Sequence, residues 1–164
     1  MEWEQKIQGM AYIGIPYTGA MGPMSSPAAR EQSFHVVNKI AAFFLLQGEL
    51  IYSPITHSHP IHYYMGELGN DHQLWMKYDK SMMDLCNRMY VVCYGEYRKS
   101  RGVMEEIEYF KKNKKPVFLL SINNGLTVTI AYSVPNIDHV TFPQSVEDRK
   151  AIVDYHDARR LGPY

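Results

Sequence analysis

A continuous apolar run from Met89 to Cys93 constrains the fold more than any other feature of the chain. A strand without polar alternation is typical of a parallel sheet, in which helices cover both faces. Helical periodicity precedes this run, over Ala28 to Gly48 and about His72 to Asn87, and a third helix begins near Ser100. Because parallel strands need crossover connections of about this length, the pattern predicts an α/β domain.

Shorter segments complete the predicted order of elements. The further strands are Met10 to Pro16, Glu49 to Ser53 and Pro116 to Ser121, with weaker candidates at Leu126 to Tyr132 and His139 to Phe142. Loops are expected over Tyr17 to Pro27 and from Pro54 to about Asp71, a turn at Asn123 to Gly125, and a last helix over Ser145 to Arg160. We therefore expect one domain over residues 1–164, with a Rossmann-like (flavodoxin-like), mainly parallel sheet flanked by helices on both faces.

Composition narrows the classes of partner. Lys plus Arg and Asp plus Glu number 17 each, so no overall field draws the protein to a nucleic acid polymer or to an anionic membrane. The longest apolar run, Ile40 to Leu46, is too short to span a bilayer. Residues 1–8 lack an apolar signal core, and Cys86 and Cys93 form neither a disulfide framework nor a Cys-x-x-Cys site. We expect a soluble cytoplasmic protein that binds a small molecule.

The third helix separates two adjacent carboxylates by periodicity alone. Val103, Ile107 and Phe110 form its apolar stripe, from which Glu105 points away, whereas Glu106 lies on the edge. In open α/β sheets, ligands bind beyond the carboxyl ends of the strands, so Glu106 is placed beside the expected crevice. There it is a candidate nucleophile. The alternative is a helix-edge glutamate that pairs with a lysine such as Lys99 or Lys112.

For other residues near the expected crevice, both a structural and a functional role are consistent with the sequence. Ser100 and Gly102 begin the third helix, where free backbone N–H groups bind phosphate, although Ser100 is equally an ordinary N-cap. Asp79 lies near the apolar side of the second helix, and is either a buried structural acceptor or a proton donor to a leaving group. His57, His59 and His62 suggest a metal, but no acidic residue stands nearby in sequence, and pocket lining fits them better.

Together these residues resemble the nucleoside 2-deoxyribosyltransferase superfamily, and within it a phage and bacterial subgroup of similar length. The resemblance runs from about Met10 to Leu120. It rests on Tyr12-Ile-Gly14-Ile-Pro16-Tyr17, Arg30, Gly48 through Ser53-Pro54-Ile-Thr-His57-Ser58-His59-Pro60, Trp75-Met-Lys-Tyr-Asp79, Tyr90-Val-Val and Ser100-Arg-Gly102-Val-Met-Glu-Glu106.

The resemblance implies a retaining two-step reaction on an N-glycosidic bond, without a metal or cofactor. Glu106 would attack the anomeric carbon to give a covalent glycosyl-enzyme, Asp79 would help to protonate the departing base, and Tyr12 would orient the nucleophile. The enzyme is a hydrolase if water accepts the sugar, and a transferase if a second base accepts it. Further substrate contacts are expected from Gly14, Pro16, Arg30, Ser100, Gly102, His57 and His59.

One position bears on the substrate. By the resemblance, an acidic residue six before the glutamate binds the sugar 5′-hydroxyl in nucleoside transferases, whereas relatives that hydrolyse nucleoside monophosphates have serine there. This chain has Ser100, and a hydroxyl at a helix N-terminus favours a phosphate. Arg30 is expected to supply compensating charge, with a surface salt bridge as its alternative. The prediction is hydrolysis of a 5′-monophosphate.

The chain also departs from the family pattern. The connection from Thr18 to Pro27 is longer than usual, which leaves the register of Arg30 open, and Asn87 stands where relatives often have aspartate. The resemblance implies a homodimer or larger homo-oligomer in which a neighbouring subunit completes each site. The candidate residues for that role are Asn123, Asn124, Thr127 and Tyr164.

Two other classes of function remain open from the sequence. The same crevice would serve a non-catalytic module that senses a nucleotide without cleaving it. A metal hydrolase built on His57, His59 and His62 is the other.

Overall fold

The structure is a computed structural model that describes residues 9–17, 26–123 and 127–132. Within these ranges the strands form one sheet in the order β2-β1-β3-β4-β5. They are β1 (Met10–Gly14), β2 (Leu50–Tyr52), β3 (Cys86–Val92), β4 (Val117–Asn123) and β5 (Thr127–Tyr132). The first four are parallel to one another, and β5 runs antiparallel to β4. This is the flavodoxin-like order, so the predicted fold class is confirmed.

Helices connect the parallel strands. They are α1 (Pro27–Leu46), α2 (Pro54–His62), α3 (His72–Leu85) and α4 (Arg101–Lys112), with short 3₁₀ helices at Gly66–Asn70 and Tyr97–Lys99. Their starts follow from local chemistry, because the side chains of Ser26, Ser53, Asp71 and Ser100 accept hydrogen bonds from first-turn N–H groups. Helix α1 ends where Gly48 takes a positive φ of 78°, which glycine adopts without strain.

The sheet has one hydrophobic cluster on each face. Alternate residues of β1 and β3 divide between the faces, as the period of two in a strand requires. Helix α1 packs on one face against Ala11, Ile13, Tyr90 and Val92. Helices α3 and α4 pack on the other against Tyr12, Met89 and Val91. Both faces of the central strands are therefore covered, which explains the uninterrupted apolar run in the sequence.

The segment from Pro54 to Asp71 corrects a prediction. We expected a polar loop, but residues 54–62 form α2 and residues 66–70 a 3₁₀ helix. The start of α2 follows a known capping pattern, since the Ser53 hydroxyl accepts from the Thr56 N–H and Pro54 occupies the first turn. Pro60 lies inside the helix, where proline usually argues against a helical assignment, and the histidine and glycine content favoured a loop.

The second predicted helix was extended too far. Helix α3 ends at Leu85, and Cys86 is already the first residue of β3, paired with Met10. The weak strand candidate near Tyr132 is confirmed as β5. The expected strand at His139 to Phe142 and helix at Ser145 to Arg160 lie outside the described residues, as do Asn124 and Gly125. No helix in the described ranges is both long and apolar enough to cross a bilayer.

A buried ion pair holds the amino-terminal end of the sheet. Arg88 Nη2 lies 3.1 Å from Glu49 Oε2, and both side chains are almost fully buried. The Tyr90 hydroxyl donates to the same carboxylate oxygen at 2.8 Å, and Arg88 also donates to Asn87 Oδ1 and the Gly9 carbonyl. A buried charge that loses its partner is strongly unfavourable, so these contacts are coupled.

We predict that Arg88→Met lowers the free energy of unfolding by about 3–5 kcal/mol, because it leaves the Glu49 carboxylate buried without its counter-charge. Urea denaturation measures the loss. Lys99→Met is the matched control, since Lys99 pairs with Glu96 at the surface and exposed pairs contribute little. Adding Glu49→Leu to Arg88→Met should recover part of the loss. Equal destabilisation by Arg88→Met and Lys99→Met would contradict the prediction.

Candidate active site

A cavity of about 400 Å³ opens at the carboxyl ends of the strands. Its lining comes from the segments after β1 and β2, from α3, and from the first turns of α4. The lining residues are Ile15, Tyr17, Arg30, Ile55, Ser58, His62, Gly69, Asn70, His72, Trp75, Met76, Asp79, Lys99, Ser100, Arg101, Gly102, Val103 and Glu106. The volume is within the range of small-molecule sites, and the position is the one expected for an open parallel sheet.

Two buried carboxyl groups line the cavity. Glu106 is 7% exposed and Asp79 is 8% exposed. Glu106 is part of the buried stripe of α4 with Val103, Ile107 and Phe110, so it lies deeper than the edge position predicted from periodicity. Its neighbour Glu105 faces outwards and pairs with His72 and Arg101. The predicted separation of the two glutamates holds.

The Glu106 carboxylate is fixed by the first strand. The hydroxyl of Tyr12, a fully buried residue of β1, donates to Glu106 Oε1 at 2.8 Å. The Tyr12 ring packs between Tyr52 and Phe110, which hold it in place. Glu106 does not pair with Lys99, which contacts Glu96 instead.

Gly14 leaves room for this carboxylate. A Cβ at position 14 would lie 2.8 Å from Glu106 Oε2 and 2.6 Å from the Met89 methyl carbon, both closer than real contacts allow. Gly14 is not itself a lining residue, and the group that its missing side chain accommodates is the Glu106 carboxylate. Pro16 is buried and also lies outside the lining.

Burial raises the pKa of both acids. Loss of hydration raises the pKa of Glu106 to about 8, with the Tyr12 hydrogen bond opposing the shift and the charge on Asp79 adding to it. Loss of hydration likewise raises the pKa of Asp79 to about 7, with His72 opposing it. Asp79 Oδ1 is buried without a hydrogen-bond partner among the described residues. Near neutral pH such a pair holds a proton, which is the condition for acid–base work.

Cationic side chains also line the cavity. Arg30, Lys99 and Arg101 line it together with Ser100 and Gly102 at the start of α4. The Ser100 hydroxyl accepts from the Val103 N–H at 3.4 Å, so Ser100 is the helix N-cap as well as a lining residue. The space beside Gly102 is open, since a Cβ at this position would meet no described atom within 4 Å beyond its own stretch of helix. A helix N-terminus with cations nearby suits an anionic group. Two of these cations also have surface partners, since Lys99 pairs with Glu96 and Arg101 with Glu105.

The segment after α2 forms a rigid wall. The Trp75 indole N–H donates to the Gly69 carbonyl at 2.7 Å, and His62 Nδ1 lies 2.9 Å from the same oxygen. A Cβ at Gly69 would come within 2.7 Å of His62 Nδ1, so only glycine permits this approach. Sequence reasoning missed the wall because it took the segment for a loop. Tyr17 and His72 also line the cavity without having been assigned a role.

Two predicted substrate contacts are not lining residues. His57 is exposed and stacks on Tyr78 with the ring centroids 5.5 Å apart. His59 is buried behind Tyr17, and its two ring nitrogens face Tyr17 and Glu31. Helix α2 therefore presents Ser58 and His62 to the cavity and turns the two predicted histidines away. In the described part of the chain, no three His, Cys, Asp or Glu side chains form a group able to hold a metal.

The residues predicted to complete the site of a neighbouring subunit stay untested. Asn123 and Thr127 pair with each other in the β4–β5 ladder. Asn124 and Tyr164 lie outside the described residues.

The fold and the site define an α/β domain with two buried carboxyl groups and a cationic helix N-terminus around one small-molecule cavity. Residues 9–122 match a family described as "Domain of unknown function (DUF1937)", and the chain belongs to this family. No curated protein matches the chain. The matched range includes every residue that lines the cavity, so the site is part of the family domain.

We predict that Glu106→Gln stabilises the protein increasingly as pH rises from 5 to 9. A carboxyl whose folded pKa is raised contributes stability at pH below its unfolded pKa, and loses it as pH rises through the folded pKa. The neutral amide introduced by Glu106→Gln does not ionise and would have no such loss. The melting temperature of the variant should exceed that of the parent at pH 9 by roughly 5–10 °C.

Glu105→Gln is the matched control for this prediction. Hydrogen bonds from Arg101 and His72 hold the pKa of Glu105 below its usual range, so its stabilising effect is present above the unfolded pKa. The control should gain no stability at high pH. Parallel melting-temperature curves for the parent and Glu106→Gln would contradict the assignment.

Proposed function

We propose that this protein cleaves the N-glycosidic bond of a nucleoside or nucleoside 5′-monophosphate through a covalent glycosyl-enzyme on Glu106. The observation that carries the proposal is the convergence of two buried carboxyl groups, Asp79 and Glu106, on one cavity. The resemblance of the sequence to the nucleoside 2-deoxyribosyltransferase superfamily supports the same assignment of roles.

Protonation of the pair suits the first step. The Tyr12 hydroxyl donates to Glu106, and a hydrogen bond to a carboxylate is stronger than one to a neutral acid. With a pKa of about 8 for Glu106 and about 7 for Asp79, the first proton lies mainly on Glu106 at neutral pH. The proposed reaction uses the other arrangement, with Glu106 ionised as the nucleophile and the proton on Asp79, and the Tyr12 hydrogen bond stabilises it.

The reaction then has two balanced steps. A Glu106 carboxylate oxygen bonds to the anomeric carbon, the carbon–nitrogen bond breaks with its electron pair going to the base, and the Asp79 proton passes to that base. In the second step water attacks the anomeric carbon, Glu106 leaves as a carboxylate, and Asp79 takes the proton of the water. A second base in place of water makes the reaction a transfer.

The cationic lining residues support a 5′-phosphate on the substrate. Ser100 and Gly102 at the start of α4, with Arg30, Lys99 and Arg101 around them, provide charge and backbone donors for a dianion. An acid in place of Ser100 would repel the phosphate. The proposal corresponds to a cytoplasmic enzyme that acts on free nucleotides. It would assemble as a homodimer or larger homo-oligomer.

We predict that Glu106→Gln lowers release of free base by about 10³-fold or more, because no other residue replaces the nucleophile. Chromatography after incubation with a panel of nucleosides and 5′-monophosphates measures the release. Glu105→Gln is the control and should retain most activity. Mass spectrometry of the acid-quenched parent enzyme should find the sugar, or sugar phosphate, on the peptide that contains Glu106.

Three outcomes refine or reject the proposal. Formation of a new nucleoside when a second base is supplied identifies a transferase, and its absence a hydrolase. Tight binding without turnover, unaffected by Glu106→Gln, would favour the non-catalytic sensing module. Full activity of Glu106→Gln would rule out the proposed nucleophile.

Asp79→Asn should reduce cleavage of natural nucleotides by about 10²–10⁴-fold, since asparagine cannot transfer a proton to the base. In the first turnover, a glycoside with a 4-nitrophenolate leaving group, which needs no protonation, should release 4-nitrophenolate at nearly the parent rate, because only the later hydrolysis of the glycosyl-enzyme uses Asp79 as a base. The parent should lose activity above about pH 7, where Asp79 becomes ionised. An equal loss for both substrates would show that Asp79 has a structural role.

A further inference from the structure

Three side chains form a hydrogen-bonded line from the cavity to the protein surface. The Tyr17 hydroxyl, on a residue that lines the cavity, lies 2.9 Å from His59 Nδ1. His59 Nε2 lies 2.9 Å from Glu31 Oε2 on α1. The His59 ring is 3% exposed, whereas the Glu31 side chain is 46% exposed. The proposed reaction uses none of the three.

Packing fixes the orientation of the histidine ring. Phe34 stacks on His59 with the ring centroids 4.3 Å apart, and Tyr17 and Tyr63 meet it edge-on. The ring is enclosed on several sides, so each nitrogen keeps its partner. Nδ1 is hydrogen-bonded to Tyr17 and Nε2 to Glu31.

The charge state of Glu31 decides where the protons lie. The hydrogen bond from His59 holds the pKa of Glu31 below its usual range, with the Tyr63 hydroxyl and His35 also favouring ionisation. An ionised carboxylate only accepts, so His59 Nε2 carries a hydrogen. If the ring is neutral with its hydrogen on Nε2, its second nitrogen, Nδ1, is bare. The Tyr17 hydroxyl must then donate to Nδ1.

In this arrangement the hydroxyl proton of Tyr17 is donated to His59. Burial raises the pKa of Tyr17, so the hydroxyl keeps its proton at neutral pH. With that proton directed at His59, the oxygen has only lone pairs for any other partner. A ligand group that meets this oxygen has to be a hydrogen-bond donor.

We propose that His59 is neutral with its hydrogen on Nε2, that Tyr17 is a specificity-determining residue that accepts a hydrogen bond from the ligand, and that His59 and Glu31 are positioning residues that hold it as an acceptor. The nature of the ligand rests on the proposed function. The donor is then an N–H of the base or a hydroxyl of the sugar. An analogue with an acceptor in that place is disfavoured, because two lone pairs would face each other.

The proton arrangement is tested without any ligand. Nitrogen-15 NMR of the histidine side chains, with His59→Gln to assign the signals, identifies the tautomer of His59. We expect a neutral ring with the hydrogen on Nε2. A hydrogen on Nδ1, or on both nitrogens, would overturn the inference, because Tyr17 would then be free to donate into the cavity.

Ligand discrimination is tested in a Glu106→Gln background, so that binding is measured without cleavage. Two pairs of monophosphates exchange an amino donor for an oxo acceptor, cytidine with uridine and adenosine with inosine. In each of these pairs the adjacent ring nitrogen changes from an acceptor to an N–H donor, so the favoured member identifies which N–H meets Tyr17. A third pair, ribose with 2-deoxyribose, removes a hydroxyl donor. By calorimetry, the member of one pair whose donor meets Tyr17 should bind about 5- to 20-fold more tightly. Tyr17→Phe should abolish that preference, and the pair affected distinguishes base from sugar.

Two further variants separate positioning from general structural damage. Tyr63→Phe, which also removes a tyrosine hydroxyl near Glu31 but lies outside the cavity, should leave the preference intact. Glu31→Gln can both accept from and donate to His59, so it should reduce the preference and give mixed tautomers. An equal loss of affinity for both members of each pair would show a structural role only, and would overturn the inference.

Failure of this inference is distinct from failure of the proposed function. Nucleotide binding with a Tyr17-dependent preference, but no cleavage by the parent enzyme, would leave the inference standing and remove the reaction. Cleavage with a preference that survives in Tyr17→Phe would do the reverse. Absence of binding by every monophosphate tested would overturn both.

Discussion

The hydrogen bond from Tyr12 to Glu106 is the interaction on which the site depends. It joins the central strand β1 to α4 through two buried side chains, and so ties the position of a carboxylate to the core. Burial of this carboxylate opposes folding whenever it is ionised. The Tyr12 hydroxyl offsets part of that desolvation, and Gly14 makes the space in which the carboxylate fits. Stability and site geometry are thus set by the same few contacts.

The buried carboxyl groups at the two ends of the sheet differ in whether a cation pairs with them. At the amino-terminal end, Glu49 is neutralised by Arg88 and receives a hydrogen bond from Tyr90. At the carboxyl end, Asp79 and Glu106 are buried without a paired cation in the described residues, and burial raises the pKa of each. The charge of Glu49 is therefore compensated by Arg88, although its Oε1, like Asp79 Oδ1, has no hydrogen-bond partner among the described residues. A buried acid without a counter-charge is typical of a functional site.

The sequence predicted the layers of the fold and the two acids, because both follow from periodicity. The uninterrupted run of β3 required cover on both faces, and helical spacing placed Glu105 outwards and Glu106 on the edge of the apolar stripe. The structure buries Glu106 deeper than that. The prediction was wrong between Pro54 and Asp71. There, Pro60 and several histidines favoured a loop more than the N-cap at Ser53 favoured a helix. The environments of His59 and His62 depend on which way α2 turns against α1. That orientation is set by tertiary packing and has no counterpart in local spacing.

The cavity is assembled from segments that stretch from Ile15 to Glu106, and they meet only when the central strands are paired. No small part of the chain retains a binding surface of its own. A bound small molecule therefore stabilises the native state of the whole domain against global unfolding, in proportion to the logarithm of its concentration above the dissociation constant. Occupancy and folding are linked equilibria in this protein, and a thermal shift reports a ligand even when no bond is broken.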